Sequence, residues 1–313
     1  MRAGIAVLPS LWKDTAGEDA GFASGNCFAI CDGVGWYARD GIDAGEFSRE
    51  LVASLQENEA LARGEAGLVE ALDEAHESAL SPGGSTCLLG RVVPWEVEDD
   101  YLTLQLLNLG DCNVLVLRNG VPIPETPLTP RLHAWNQPYQ LTGIAEDPDA
   151  LTDYAEDGEE ADIVVRPGDI IVAGSDGLFD NVWPDEIATV IAEHVRAGAG
   201  FPVPVGALVA EAQGGGAQKP FGNLPGWMQR MQAPTRVMPA ADPELATMAL
   251  EGTWEPQHAA EELAALAQAN ADDETYHSPY FEGMKEQGQV PFPYFGPGGG
   301  KADDTTVVVA VVV

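Results

Sequence analysis

The sequence predicts an α+β fold in which antiparallel sheets pack face to face and helices cover their outer surfaces. Runs of β-forming residues follow one another between pairs of helices, rather than alternating singly with helices. Several of these runs are joined by tight turns, such as Asn119-Gly120, where both residues tolerate positive φ. Both observations favour antiparallel sheets over a doubly wound parallel sheet.

The first part of the chain predicts one strand followed by two helices. The apolar residues Phe47, Leu51 and Leu55 recur at every fourth position, which is typical of an amphipathic helix. Pro82, followed by two glycines, ends the second helix. The strand and the two helices are expected at 22–31, 44–62 and about 65–80.

The middle of the chain predicts mostly strands. STCLLGRVV, YLTLQLLNLG and NVLVLRNG each have the composition of a strand. ADIVVRPGDIIVAGSD is expected to form a hairpin that turns at Pro167-Gly168. A helix is expected after Pro184, because proline suits the first helical turn. A further short helix is expected at 258–270.

The segment at about 198–256 differs from the rest of the chain. It is rich in Gly, Pro, Met and Trp and shows no sustained hydrophobic period. Two interpretations compete: a partly disordered insertion, or a lid with an adaptable apolar surface near the site. The adaptable residues would be Trp227, Met228, Met231 and Met238. We expect one domain over 1–313 that carries this insertion.

The composition limits the partners and the compartment. The chain has 313 residues and a net charge of −35, which argues against nucleic acid and anionic membranes as partners. No apolar run approaches the ~20 residues of a membrane span. The four cysteines lie within apolar segments, which indicates reduced, buried thiols and a cytoplasmic location. Import into an organelle through a presequence absent from this chain remains an alternative.

Several aspartates mark the ends of apolar runs. CFAICDG ends at Asp32, DIIVAGSDG ends at Asp176, and Asp303-Asp304 precede the last strand. If these strands lie side by side, their ends would place these carboxylates at one edge of the sheet. Mg²⁺ and Mn²⁺ prefer oxygen ligands, so the pattern predicts a divalent-metal site.

Six short motifs occur in a fixed order along the chain. They are GEDA (17–20), CDGVGWYARDGIDAGEFSREL (31–51), GGST (83–86), NLGDC (108–112), GSDGLFDN (174–181) and KADDTT (301–306). Together they resemble the metal-dependent serine/threonine protein phosphatases of type 2C, the PPM family, and in particular a branch with DGVGGW. Trp36 replaces the second glycine of that motif, and Val34 replaces the histidine of the DGHGG form. The resemblance implies a four-layer α/β/β/α sandwich.

The resemblance also implies a site with two divalent ions, Mg²⁺ or Mn²⁺, and a weaker third. Asp32 would be the ligand shared by two ions, and the carbonyl of Gly33 would add a neutral oxygen. Asp176 and Asp303 would hold one ion and Asp19 the other, with Asp32 and Asp176 as the catalytic residues. Weaker candidates for ligands are Glu18, Asp111, Asp180 and Asp304.

A cation is also needed for the substrate phosphate. Lys13 precedes GEDA, as a lysine does in the similar branch, and is the only lysine in the first two hundred residues. A phosphate contact and an ordinary surface lysine explain it about equally well. The general acid stays unassigned, because Val34 occupies the place of the motif histidine.

These observations together predict a metal-dependent phosphatase that hydrolyses phosphoserine and phosphothreonine in proteins by attack of a metal-activated water. The partner is a phosphorylated protein substrate, and the chain is expected to be a monomer. Two alternatives stay open. One is a catalytically weak pseudophosphatase that acts as a binding module, and the other is a phosphatase of a small phosphorylated metabolite.

Overall fold

The computed structural model describes residues 1–95, 101–143, 151–201, 238–288 and 299–313. The strands β1 to β14 are Arg2–Leu8, Ala20–Ser24, Cys27–Cys31, Gly84–Ser85, Cys87–Pro94, Leu102–Leu109, Asn113–Arg118, Val121–Pro122, Leu132–Ala134, Gln137–Pro138, Leu141–Thr142, Glu159–Val165, Ile170–Gly174 and Thr305–Val311. The helices α1 to α8 are Ala44–Glu57, Glu59–Arg63, Leu68–Ser78, Asp176–Phe179, Pro184–Gly198, Glu244–Glu251, Pro256–Asp272 and Pro279–Glu286.

Ten of these strands form two five-stranded antiparallel sheets. The first sheet has the order β1-β14-β13-β7-β8, and the second has the order β12-β6-β5-β3-β2. The last strand of the chain, β14, lies between β1 and β13, so it has neighbours on both sides. All seven residues of β14 are buried, which explains its unbroken apolar sequence.

Three apolar layers stack through the molecule. The middle layer lies between the sheets and contains Phe28 and Ile30 from the second sheet and Val308 from the first. One outer layer joins the second sheet to α1 and α3, and the other joins the first sheet to α5, α6 and α7. This arrangement is an α/β/β/α sandwich, so the predicted fold class is confirmed. Within the described ranges, no helix combines the length and apolarity needed to cross a bilayer.

Two predicted strand arrangements are wrong. Residues 22–31 are not one strand, because Gly25 adopts a positive φ of 61° and separates β2 from β3. The segments around Pro167-Gly168 are not a hairpin, since β12 pairs with β6 in the second sheet and β13 pairs with β7 and β14 in the first. The connection passes from one sheet to the other. Asp169 stabilises it by accepting three hydrogen bonds from the Arg118 guanidinium, the shortest at 2.7 Å.

The first predicted helix is divided in two. Asn58 adopts an extended backbone between α1 and α2, and its side chain accepts a hydrogen bond of 2.8 Å from the amide of Leu61. Asparagine therefore caps the second helix rather than continuing the first. Glu59, Ala60, Leu61 and Ala62 favour helix after Asn58, which is why the sequence predicted one long helix.

The described part of the segment at about 198–256 includes regular structure, which its composition did not predict. Helix α6 lies within it, and Leu245, Ala249 and Trp254 are buried against the first sheet and its helices. Met238 is partly buried against the same layer. The other residues named as an adaptable surface, Trp227, Met228 and Met231, lie outside the described residues.

Candidate metal centre

The register of the sheets brings the ends of several strands to one edge of the sandwich. In the first sheet, Gly174 pairs with Val307 and with Asn113, so the residues that follow β13, precede β14 and precede β7 are neighbours. In the second sheet, Ala20 pairs with Cys31, so the residues before β2 and after β3 meet. The predicted acidic ligands lie in or next to these connections, with Asp176 as the first residue of α4 and Asp180 directly after that helix. Antiparallel pairing therefore places them together although they are up to 286 residues apart in the chain.

Three carboxylates form the closest group at this edge. One oxygen each from Asp32, Asp111 and Asp176 lies within 4.8 Å of the others. A single divalent ion could contact oxygens at such spacing after small rotations of the side chains. The sequence favoured Asp32 and Asp176 and ranked Asp111 as a weaker candidate. The structure places Asp111 as close to the centre as the other two.

The electrostatics of the group favour the binding of positive charge. Burial raises the pKa of Asp32 well above its usual range, and the nearby charges of Asp19, Asp176 and Asp303 raise it further. Burial, with the charges of neighbouring aspartates, also raises the pKa of Asp19 to about 8 and that of Asp111 to about 7. Carboxylates this crowded hold protons unless cations neutralise them.

Lys301 supplies part of that positive charge, and the sequence analysis missed this role. Its ammonium group forms an ion pair with Asp176 and lies 3.1 Å from Asp303 and 3.6 Å from Asp180. Asn181 fixes the backbone beside it, because its side chain both donates to the carbonyl of Lys301 and accepts from its amide. The available signal was the position of Lys301, two residues before Asp303 in a chain with few lysines.

Lys13 neutralises the other side of the group. Its ammonium group forms an ion pair with Glu18 and lies 2.8 Å from Asp304 and 3.9 Å from Asp303. Glu18 and Lys13 therefore face each other at the rim of the group. Lys13 is about one quarter exposed, so it can reach solvent or a substrate anion.

The neighbours Asp303 and Asp304 have different surroundings. Asp304 accepts hydrogen bonds from the backbone amides of Ser10 and Glu18, at 2.7 and 2.6 Å, and from Lys13. Burial opposes ionisation of Asp304, but these bonds outweigh it and hold its pKa below the usual range. Asp304 therefore ties three segments together. Asp303 faces Lys301 and the charges of the central group.

Two buried carboxylate oxygens have no hydrogen-bond partner among the described residues. They are Oδ2 of Asp19 and Oδ1 of Asp176. A buried acceptor without a partner is costly, so such atoms usually face an ion or water. Hard oxygen donors, several of them charged, are the ligands that Mg²⁺ and Mn²⁺ prefer. The residues at this edge therefore fit divalent ions of that kind.

Two glycines allow the connections to pack closely at the centre. A Cβ on Gly33 would lie 2.5 Å from the carbonyl oxygen of Glu18, and one on Gly177 would lie 1.9 Å from that of Asp304. No side chain fits at either place. Each glycine follows a predicted ligand, so its function is to let backbone and carboxylate approach a neighbouring connection.

The GGST motif holds the backbone of Asp32 in place. The amide of Thr86 and the hydroxyl of Ser85 both donate to the carbonyl of Asp32, at 2.9 and 3.1 Å. Val34 in turn donates its amide to the carbonyl of Gly84. These bonds position Asp32 without occupying its carboxylate.

Known proteins resemble this chain, some of them along its whole length. It is 30% identical over 314 residues to the probable protein phosphatase 2C 55 of Arabidopsis thaliana. This match covers 99% of this chain and 51% of that protein. It is also 35% identical over 205 residues to the probable protein phosphatase 2C 71 of Oryza sativa subsp. japonica. That match covers 63% of this chain and 40% of the rice protein. The chain thus spans about half the length of these curated relatives. No family model matches it.

Solved structures agree with the fold. The photosystem II phosphatase PBCP superposes with a TM-score of 0.69 at 26% identity, over 99% of this chain and 98% of that one. The catalytic domain of the serine/threonine phosphatase PstP, solved with two manganese ions, superposes with a TM-score of 0.51 at 18% identity, over 100% and 98%. On its sequence relatives and its fold, the chain belongs to the protein phosphatase 2C, or PPM, family.

Proposed function

We propose that this chain is a metal-dependent protein phosphatase that hydrolyses phosphoserine and phosphothreonine. The observation that carries the proposal is the group of Asp32, Asp111 and Asp176, whose carboxylate oxygens lie within 4.8 Å of one another. The names of the relatives support the same activity, as does the order of the six motifs. We further propose that 1–313 acts as one catalytic domain and as a monomer.

The proposed ligands divide between two ions. Asp32 would be shared, the carbonyl of Gly33 would add a neutral oxygen, Asp176 and Asp303 would hold one ion, and Asp19 the other. The ions would be Mg²⁺ or Mn²⁺, and when bound they would supply positive charge for the phosphate and make a bound water more acidic. The free oxygens of Asp19 and Asp176 support this division.

Other acidic residues have smaller proposed roles. Asp111 and Asp180 would contribute to a weaker third ion, which the closeness of Asp111 to the central pair supports. Glu18 and Asp304 are engaged with Lys13 in the structure. They would keep that lysine beside the centre rather than bind an ion.

The chain's own cations would receive the phosphate. Lys13 lies beside the carboxylate group, and once ions neutralise that group its ammonium is free to contact a phosphate oxygen. Burial opposes the charge of this lysine, but hydrogen bonds to Asp304 and Glu18 outweigh it, so its pKa is raised and it stays a cation. Lys301 is held deeper, with 18% of its side chain exposed, and would balance charge rather than meet the substrate.

The proposed location is a reducing, cytoplasm-like compartment, because all four cysteines are free and buried. The likeness to a photosystem II phosphatase and to plant relatives supports a chloroplast as the second candidate.

Hydrolysis of a phosphothreonine peptide tests the proposal directly. Purified protein would be assayed with Mn²⁺ or Mg²⁺, then with excess chelator, then with the ion restored. We expect phosphate release that stops with the chelator and returns with the ion. A folded protein that is inactive with every ion, at low and high salt, would instead support the binding module. Faster hydrolysis of small phosphorylated metabolites than of any phosphopeptide would support the metabolite phosphatase.

A further inference from the structure

A cavity of about 340 Å³ adjoins the metal centre. It lies between the turn that joins β9 to β10 and the helix α8, and its volume is within the range of small-ligand sites. Asp111 and Asp176 line it, and both are also members of the carboxylate group. Anything that fills the cavity would therefore lie next to a phosphate bound at the centre.

Strand β9 presents an apolar face to the cavity. Leu132 and Ala134 both line it, as expected for residues two apart on a strand, which share a face. His133 lies between them in the sequence, and its ring nitrogen is instead 2.9 Å from a carboxylate oxygen of Asp153. Leu132 remains 37% exposed. A large apolar side chain is thus accessible to a ligand at the edge of the candidate active site.

The other wall of the cavity is aromatic. The ring of Trp135 stacks on that of Tyr280, with centres 6.1 Å apart and planes at 25°. A Cβ on Gly283 would lie 2.3 Å from the Trp135 ring, so glycine is required where the two walls meet. Phe179, at the end of α4, also lines the cavity and is partly buried. Carbon atoms make up most of the lining surface, which is typical of sites that bind an apolar group.

Two acidic side chains that line the cavity are already paired. Glu282 lies 2.9 Å from the ammonium of Lys285 and 3.3 Å from the ring of His277. Asp180 lies 3.6 Å from the ammonium of Lys301. Carboxylates with such partners do not need a charged ligand, so a ligand would gain most from covering the apolar surface.

Backbone hydrogen bonds hold both walls at a fixed distance from the metal centre. The amide of Arg131, directly before β9, donates to the carbonyl of Gly110, directly before Asp111, at 2.8 Å. The amide of Tyr280 on α8 donates to the carbonyl of Asp180 at 3.0 Å. The cavity is therefore preformed, and it would receive a residue at one set distance from the phosphate.

We propose that this cavity is a specificity subsite for a large apolar side chain, such as phenylalanine or leucine, that flanks the phosphorylated residue of a protein substrate. Leu132 and Ala134 would cover one side of that group, and Trp135 and Phe179 would contact the other. Removing this surface from water supplies the binding free energy. The inference rests on the proposed phosphatase activity and names the substrate class that the site selects.

The test compares phosphothreonine peptides that differ at one flanking position. A single phenylalanine is moved through the positions on both sides of the phosphothreonine in an otherwise alanine peptide. The kcat/KM is measured with saturating Mn²⁺ at about 0.15 M salt, where long-range charge effects are screened. We expect one position to favour phenylalanine over alanine by roughly five- to twentyfold, because a side chain in an open cavity is only partly removed from water. Leucine should be favoured slightly less, and glutamate and arginine should not be favoured there.

Two variants of β9 then assign the preference to the cavity. Leu132→Thr removes apolar surface but keeps a residue that suits a strand, and Ala134→Leu fills the space that the substrate side chain would enter. Each should lower the phenylalanine-to-alanine ratio by at least about threefold. Both positions are exposed, so the fold should persist, and thermal unfolding checks it. The matched control is Leu250→Thr on α6, the same change at a side chain that is 38% exposed, which should keep the full ratio.

The outcomes separate the two proposals. Hydrolysis of the all-alanine phosphothreonine peptide reports the phosphatase activity alone, and if no phosphopeptide of the series is hydrolysed with any ion, the proposed function is overturned. If the peptides are hydrolysed but no position favours a large apolar residue, or arginine is favoured instead, the subsite is wrong. A preference that persists in both Leu132→Thr and Ala134→Leu, or that falls equally in Leu250→Thr, would also overturn the inference.

Discussion

At the scale of single residues, the centre is a balance between crowded carboxylates and two lysines. Lys301 lies among Asp176, Asp180 and Asp303, and Lys13 lies between Glu18 and Asp304. Burying this many acids together is costly unless cations accompany them. Two of the four lysines of the chain are used for this purpose. Bound ions and internal ammonium groups therefore compete for some of the same carboxylates.

Asp176→Ala tests the proposed role of Asp176 as a metal ligand. We expect kcat to fall by about 10²- to 10³-fold, the loss typical when a group that organises transition-state charge is removed. The fold should persist, because losing one carboxylate relieves repulsion and Lys301 keeps its contact with Asp303. Activity, Mn²⁺ binding by calorimetry and thermal unfolding would be measured together. A folded variant with full activity would exclude Asp176 as a ligand; Asp73→Ala on α3 is the control.

Lys301→Met tests the internal counter-ion. Removing the ammonium leaves Asp176 and Asp180 without their nearby cation and Asp303 with only Lys13, so the metal-free protein should lose up to about 3 kcal/mol of unfolding free energy. Divalent ions should restore much of that loss. The rise in Tm on adding Mn²⁺ should therefore be larger for the variant than for the unaltered protein.

Lys285→Met is the control for Lys301→Met, since it removes a lysine that is about half exposed and pairs with Glu282. Surface pairs of this kind contribute at most about 1 kcal/mol. If Mn²⁺ raised the Tm of Lys285→Met and Lys301→Met equally, the ammonium of Lys301 would not be substituting for a bound ion at the centre.

At the scale of elements, the connections that carry the site are held by neighbouring helices. Glu50 on α1 accepts hydrogen bonds from the amides of Leu80 and Ser81, at 2.6 and 2.9 Å, and from the Ser81 hydroxyl at 2.8 Å. It thereby fixes the turn before β4, whose residues hold Asp32. These bonds favour the ionised form and lower the pKa of Glu50 below its ordinary value of 4.5.

Glu50→Gln should show how that turn depends on pH. A carboxyl whose pKa is lowered on folding stabilises the native state above its unfolded pKa, and the effect disappears as pH falls through the folded pKa. We expect the variant to be less stable by roughly 0.5–1 kcal/mol at neutral pH, a modest value because Glu50 is partly exposed. Urea unfolding at neutral pH, and in steps to below the ordinary glutamate pKa, would measure it. A difference that stays constant with pH would contradict the linkage.

How much the sequence could predict differs from element to element. The ends of β3 and β13 were visible as Asp32 and Asp176, because each aspartate closes a run of buried residues. The passage between sheets at Pro167-Gly168 was not visible, since a local turn signal does not say which strands its flanks will pair with. The break at Asn58 was missed because good helix formers lie on both sides of it.

The site likewise has features that the sequence predicted and features that it did not. The order of the motifs predicted that these carboxylates lie together, whereas the counter-ion Lys301 was not predicted. Its contact with Asp176 joins residues that are 125 positions apart in the chain. Only the register of the sheets creates that contact. The different surroundings of Asp303 and Asp304 likewise depend on the amides of Ser10 and Glu18, which lie far away in the chain.

At the scale of the whole molecule, the net charge of −35 creates a negative field around the protein. Such a field attracts basic segments and repels acidic ones, and its range is set by salt, with a Debye length of about 30 Å at 0.01 M and about 8 Å at 0.15 M. Salt should therefore change the rate of encounter with a charged substrate more than it changes the chemical step.

Salt dependence is thus a test of that field. The kcat/KM for a phosphothreonine peptide flanked by arginine should fall several-fold between those two ionic strengths, while that for a glutamate-flanked peptide should rise, because screening weakens attraction and repulsion alike. The kcat of both peptides should change little. Saturating Mn²⁺ is kept throughout. If salt displaced the ion, kcat/KM would fall for both peptides together. Parallel curves for the two peptides would mean that the net charge does not steer the substrate, whereas opposite slopes would show that the acidity of the chain takes part in choosing it.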